Sequence, residues 1–148
     1  MLTILLIIPI IGIIGVWLNT NEITQKYVAL LASVINFILS VLLWVGFDNN
    51  YDGFQYVTEF ISIGAFHLHL GIDGISLFIV LLTTFIIPVS LLASWNNVNK
   101  GVNYFQIAFL IIETLLIGVF IVIDLFTFYI IFEAVLIPIF LIIGVWGL

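Results

Sequence analysis

Residues 104–146 read YFQIAFLIIETLLIGVFIVIDLFTFYIIFEAVLIPIFLIIGVW. Two apolar runs, Tyr104 to Ile123 and Leu125 to Trp146, meet at Asp124. Each is close to the roughly 20 residues a helix needs to cross about 30 Å of hydrocarbon. The stretch predicts a transmembrane helical hairpin with a tight turn at Asp124. Tyr104 and Trp146 stand at its open end, where interfacial aromatics belong.

The pattern repeats outward from the hairpin. Residues 3–18, 27–47 and 74–95 are also apolar runs of spanning character. Pro9, Pro88 and Pro138 fall inside three of the five segments. Trp17, Trp44, Trp95 and Tyr27 lie near the expected ends. The expected fold is therefore an all-α membrane protein of about five transmembrane helices, forming a single transmembrane domain over residues 1–148. Three links are polar: Asn19 to Lys26, Asn96 to Asn103, and the turn at Asp124. The long link from Asp48 to Asp73 is acidic. Within it Phe66-His67-Leu68-His69-Leu70 alternates with period two, which predicts a short strand.

Composition agrees with a bilayer as solvent. Of 148 residues 65% are hydrophobic and 7% charged, and mean hydropathy is +1.45. Soluble domains are about a quarter charged. Net charge is −6, with two basic residues, both lysine. This excludes the basic footprint of a nucleic-acid binder and a polybasic lipid site. The absence of cysteine excludes thiolate zinc sites and cysteine-held iron–sulfur clusters. The first run has neither the basic flank nor the small-residue cleavage site of a secretory signal, so it is expected to stay as the first helix. Lys26 and Lys100 fall on one side of a five-span arrangement and Asp48, Asp52 and Glu59 on the other. The positive-inside tendency puts the lysine side in the cytoplasm or the mitochondrial matrix.

Polar residues inside the spans carry the functional signal. Ser33, Asn36 and Ser40 form one stripe. Ser76, Thr83, Ser90 and Asn97 recur every seven residues. Such stripes read first as helix–helix seams. Glu113 and Glu133 are different in kind. A charge at mid-bilayer costs roughly 2.5–3.5 kcal/mol on insertion scales, so a carboxyl there points to proton or ion handling. Each lies ten residues from Ile123, or about 15 Å below the turn at 1.5 Å per residue. The hairpin thus sets both at one level, while depth alone does not say whether they face each other. Gln106 and Asp124 share a helix face with Glu113. Tyr129, Ile137 and Gly144 share one with Glu133. Pro138 frees the carbonyl of Ala134, next to Glu133. No span contains a lysine, so a cationic partner for Glu133 is expected on another polypeptide. His67 and His69 lack a third ligand nearby and read as loop residues rather than a metal site. Asp73-Gly74 reads as a helix N-cap.

Two motifs carry a family resemblance. Leu70-Gly71-Ile72-Asp73-Gly74-Ile75-Ser76-Leu77, with Leu82-Thr83-Thr84, resembles the entry to the third helix of the antiporter-like membrane subunits of respiratory NADH:ubiquinone oxidoreductase (complex I). Phe126-Thr127-Phe128-Tyr129-Ile130-Ile131-Phe132-Glu133-Ala134-Val135-Leu136-Ile137-Pro138, with Gly144-Val145-Trp146-Gly147, is similar to the fifth helix of the subunit 4 branch, whose bacterial counterpart is chain M. Ser94-Trp95, Glu113 and Asp124 also have counterparts there. The resemblance implies that Glu133 is the fifth-helix glutamate that pairs with a seventh-helix lysine in proton pumping. It further implies a place in the mitochondrial inner membrane, or the bacterial inner membrane, beside the other membrane-arm subunits. The later helices and their lysines have no counterpart in this sequence. Either a second chain supplies the rest of the subunit, as the start at Met1 and the short tail after Trp146 suggest, or the sequence is a piece of a longer one.

No cofactor is expected on this chain, because no glycine-rich nucleotide loop lies between a strand and a helix. Two other readings stay open on sequence: a subunit of a multi-chain Na⁺/H⁺ antiporter, and a structural scaffold with neutral packing glutamates. A two-helix rotor carrier is disfavoured by five spans.

Overall fold

The computed structural model describes residues 2–47, 53, 55–63, 66–96, 101–123 and 125–146, with the backbone alone at 55–63 and 66–69. The apolar runs form five helices among the described residues: α1 (Leu2–Leu18), α2 (Glu22–Val45), α3 (Gly74–Ala93), α4 (Val102–Ile121) and α5 (Leu125–Trp146). The last four, of 20 to 24 residues, are long and apolar enough to cross a membrane. At 17 residues, α1 rises about 25 Å and sits at the short end of the spanning range.

Local chemistry sets the ends. Asn21 caps α2, its side chain accepting from the Ile23 backbone N–H at 3.0 Å. The helix therefore starts at Glu22, five residues before the expected position, and Gln25 and Lys26 belong to it rather than to a link. A capped, amphipathic first turn has the composition of a loop, so its polar residues conceal the helix start. Asp73 caps α3 in a full capping box. The Ser76 backbone N–H donates to Asp73 Oδ1 at 2.8 Å, and the Asp73 backbone N–H donates to Ser76 Oγ at 2.9 Å. α4 begins after Gly101, whose φ of 63° lies in the left-handed region. The expected turn residue Asp124 lies outside the described residues, as do Asp48, Asp52, Asn97 and Lys100.

The expected strand is present and longer, and it has a partner. β1 (Gln55–Ile63) and β2 (Phe66–Ile72) form an antiparallel hairpin, with Thr58 opposite Leu70 and Ile63 opposite Phe66. β1 is not expected from the sequence, because its Gln, Glu and Ser residues obscure a run rich in aromatic and β-branched residues. Leu70 also bridges Val122, just past α4. Leu70 and Ile72 are fully buried beside Leu5, Leu43 and Ile121. The hairpin is thus tied to the end of the bundle opposite Lys26.

α4 is the hub, packing on α1, α2, α3 and α5. α1 comes close to α2 through its glycines. A Cβ on Gly12 would lie 2.7 Å from Ala32 Cβ and one on Gly15 would lie 2.9 Å from Val28 Cγ1. Small residues at such crossings let helices approach where lipid gives no hydrophobic drive. α5 is the outlier: among the described residues it buries Thr127, Val135 and Pro138. Most of its apolar side chains are bare, Phe140 at 74% and Ile137 at 65%.

Candidate functional site

The two glutamates lie in opposite settings. Glu113 faces the interior of α1–α4 and is fully buried. Asn36 Nδ2, from α2, donates to Glu113 Oε1 at 3.3 Å. Glu133 lies on the exposed side of α5, between Tyr129 and Ile137, which are 61% and 65% exposed. The common level expected from the sequence therefore does not make the carboxyls face each other in this chain. α5 presents Glu133 away from α4.

The stripe on α2 is a buried seam, as its spacing suggests. Ser33, Asn36 and Ser40 are all fully buried. Ser33 and Ser40 donate to the carbonyls of Leu30 and Phe37 at 2.8 and 2.7 Å. Ser40 Oγ also meets Thr84 Oγ1 at 2.8 Å. Counting by sevens on α3 selects its neighbour Thr83, so the sequence singles out Thr84 only as part of the third-helix motif. Thr83 bonds back to Ile79 O instead, and Ser76 is used in the cap. Gln106, on the α4 face it shares with Glu113, is also buried, at 3% exposed. Among the described residues, three buried side-chain oxygens have no hydrogen-bond partner: Glu113 Oε2, Asn36 Oδ1 and Gln106 Oε1.

At the lysine end Lys26 Nζ donates to the Trp95 carbonyl at 2.5 Å and lies 5.6 Å from the centre of the Trp95 ring. Tyr27 packs edge-on against the same ring. His67 and His69 sit two positions apart on β2, and their side chains lie outside the described residues. Between α4 and α5 a cavity of about 530 Å³ is lined by Tyr104, Ala108, Pro138, Leu141 and Trp146, among others. Its lining is apolar and it does not include either glutamate.

Comparison with known proteins agrees with this architecture. Residues 1–123 match the family described as NADH-ubiquinone oxidoreductase chain 4, amino terminus. NADH-ubiquinone oxidoreductase chain 4 of Mycosarcoma maydis is 49% identical, over 99% of this chain and 31% of that protein. NADH-quinone oxidoreductase subunit M of Rhodobacter capsulatus is also 49% identical, over 82% of this chain and 24% of that one. The fold matches a chain of respiratory complex I from Thermus thermophilus with bound NADH at a TM-score of 0.78, with 23% identity, over 99% of this chain and 29% of that one. This chain thus spans less than a third of the relatives it matches. With its apolar helices and these relatives, it is a multi-pass inner-membrane protein. The chain belongs to the NADH-ubiquinone oxidoreductase chain 4 family and corresponds to the amino-terminal part of its members.

Proposed function

We propose that this chain forms the first part of a proton-translocating membrane subunit of respiratory NADH:ubiquinone oxidoreductase. In that role Glu133 is a proton-transfer group whose cationic partner, a lysine, comes from further polypeptide. One observation carries the reading: Glu133 is a mid-helix carboxyl on the bare apolar side of α5. A charge placed there cannot rest against lipid at low cost. It calls for a protein partner that covers the same face. The remaining helices of the subunit and the other membrane-arm subunits are the proposed occupants. Glu113 is the second proton-carrying group, enclosed by α1–α4 rather than offered to a partner. The chain itself holds no cofactor in this proposal, and electrons pass through other subunits.

The test is Glu133→Gln in the intact complex, with NADH:ubiquinone turnover and proton uptake measured together. Loss of a proton-transfer group lowers rates by about 10²-fold or more. Glu133→Asp, which keeps the carboxyl, is expected to retain part of the activity. Unchanged pumping in Glu133→Gln would make the residue a packing group and the chain a scaffold.

A further inference from the structure

The orphan oxygens of the buried seam fit one another. An amide presents one donor group and one acceptor. An ionised carboxylate presents two acceptors, so against Asn36 it satisfies one edge and leaves the other as two facing lone-pair sets. A protonated carboxyl presents one donor and one acceptor, the complement of the amide. Asn36 already donates to Glu113 Oε1. The two atoms left over on the same pair of side chains are Glu113 Oε2 and Asn36 Oδ1. A single proton on Oε2, donated to Oδ1, satisfies both. Exchanging the oxygen and nitrogen of the Asn36 amide gives the same complementarity with the edges reversed, so it holds for either assignment.

Among the described side chains of the five helices, none offers a cation to hold an ionised Glu113; those of His67 and His69, on the β2 strand that packs on α4, lie outside the described residues. α1 and α3 contain no titratable side chain. α2 carries Glu22, Lys26 and Tyr27 only in its first turns, and Lys26 is engaged with Trp95. On α5 the titratable residues are Tyr129 and Glu133, both on the outward side. On α4 Tyr104 is exposed near the helix start. The hydroxyls nearest along α2, Ser33 and Ser40, donate to carbonyls of their own helix.

We propose that Glu113 and Asn36 form a proton-binding site, in which Glu113 is the neutral acid and closes a two-bond ring with the Asn36 amide between α2 and α4. The ligand is a proton. Its loss breaks one of the two bonds and leaves two acceptors facing each other, so protonation and the α2–α4 contact are coupled. This deepens the reading of Glu113 as a proton-carrying group and makes no use of Glu133.

Infrared difference spectroscopy of the intact membrane complex tests it. The expected result is a protonated-carboxyl C=O band at neutral pH that shifts in D₂O. The band disappears in Glu113→Gln and moves to higher frequency in Asn36→Leu, where the carbonyl loses its amide partner. Glu113→Gln keeps an amide–amide ring and should assemble normally, so the result survives poor folding of the leucine variant. Absence of a band assignable to Glu113 at neutral pH would overturn the proposal. So would a band that Asn36→Leu leaves unmoved. Pumping by Glu133→Gln has no bearing on either outcome, so the two readings fail separately.

Discussion

Two single residues set how helices end in this protein, and each yields a measurable expectation. Lys26 reaches from α2 to the Trp95 carbonyl beyond α3 and lies over the indole ring. A hydrogen bond from a charged donor contributes about 1.5–3 kcal/mol when buried, and partial exposure reduces this toward about 1 kcal/mol. Lys26→Met should lower the unfolding free energy of the detergent-solubilised chain by about that amount. Asp73 is the second. The Ser76 backbone N–H donating to Asp73 holds its carboxyl below the usual carboxylate range. A lowered value means that the ionised form is stabilised by folding. The contribution is present above the unfolded-state value and fades as pH falls through the folded one. Asp73→Ala should cost about 1 kcal/mol at neutral pH. A stability profile against pH should show the difference from the wild type shrinking only in strong acid.

At the scale of elements, close approach and bare surface divide the five helices. Gly12 of α1 packs where any side chain would strike Ala32 and Leu110. Overpacking of this kind costs about 1–3 kcal/mol. Gly12→Leu should therefore loosen α1 from α2 and α4, read as lower thermal stability and faster hydrogen exchange in α1. Gly15→Leu, against Val28, should act in the same direction. Gly101 begins α4 in the left-handed region, with its Cβ position 3.3 Å from the Trp146 ring. Gly101→Ala combines strain with contact and should cost about 1 kcal/mol or more. These costs arise inside the described bundle and are expected to leave the surroundings of Glu133 unchanged.

At the scale of the whole molecule, the number of helices and the membrane setting were legible because hydrophobic length is read directly against bilayer thickness. The same count along the helices is what sets Glu113 and Glu133 at one expected level. Their facing was not. Helices α4 and α5 are apolar on all sides, so their sequences carry no amphipathic contrast to say which side is buried. α2 shows the opposite case. Ser33, Asn36 and Ser40 stand out against apolar neighbours, and the seam they mark is buried as expected. The amide partner of Glu113 could not be read, because 77 residues separate it from Asn36. The start of α2 and the first strand of the hairpin were missed where polar composition masked local order. The family resemblance carried Glu133 ahead of Glu113, while the structure adds the contrast between an outward and an enclosed carboxyl.

That contrast between α5 and the other helices has a consequence for how the protein is built. α1 to α4 enclose their polar seam among themselves, so this group can mature once α4 has entered the bilayer. α5 then arrives with one stripe already spoken for and its wide apolar side, with Glu133 on it, uncommitted. The expected consequence is a chain that stays exposed to surveillance until that side is covered. In cells making this chain without the further polypeptide proposed to cover α5, pulse-chase labelling should show rapid turnover by membrane proteases. Supplying that proposed polypeptide should lengthen its lifetime. The unclaimed face of one helix would thereby serve as the molecule's clock.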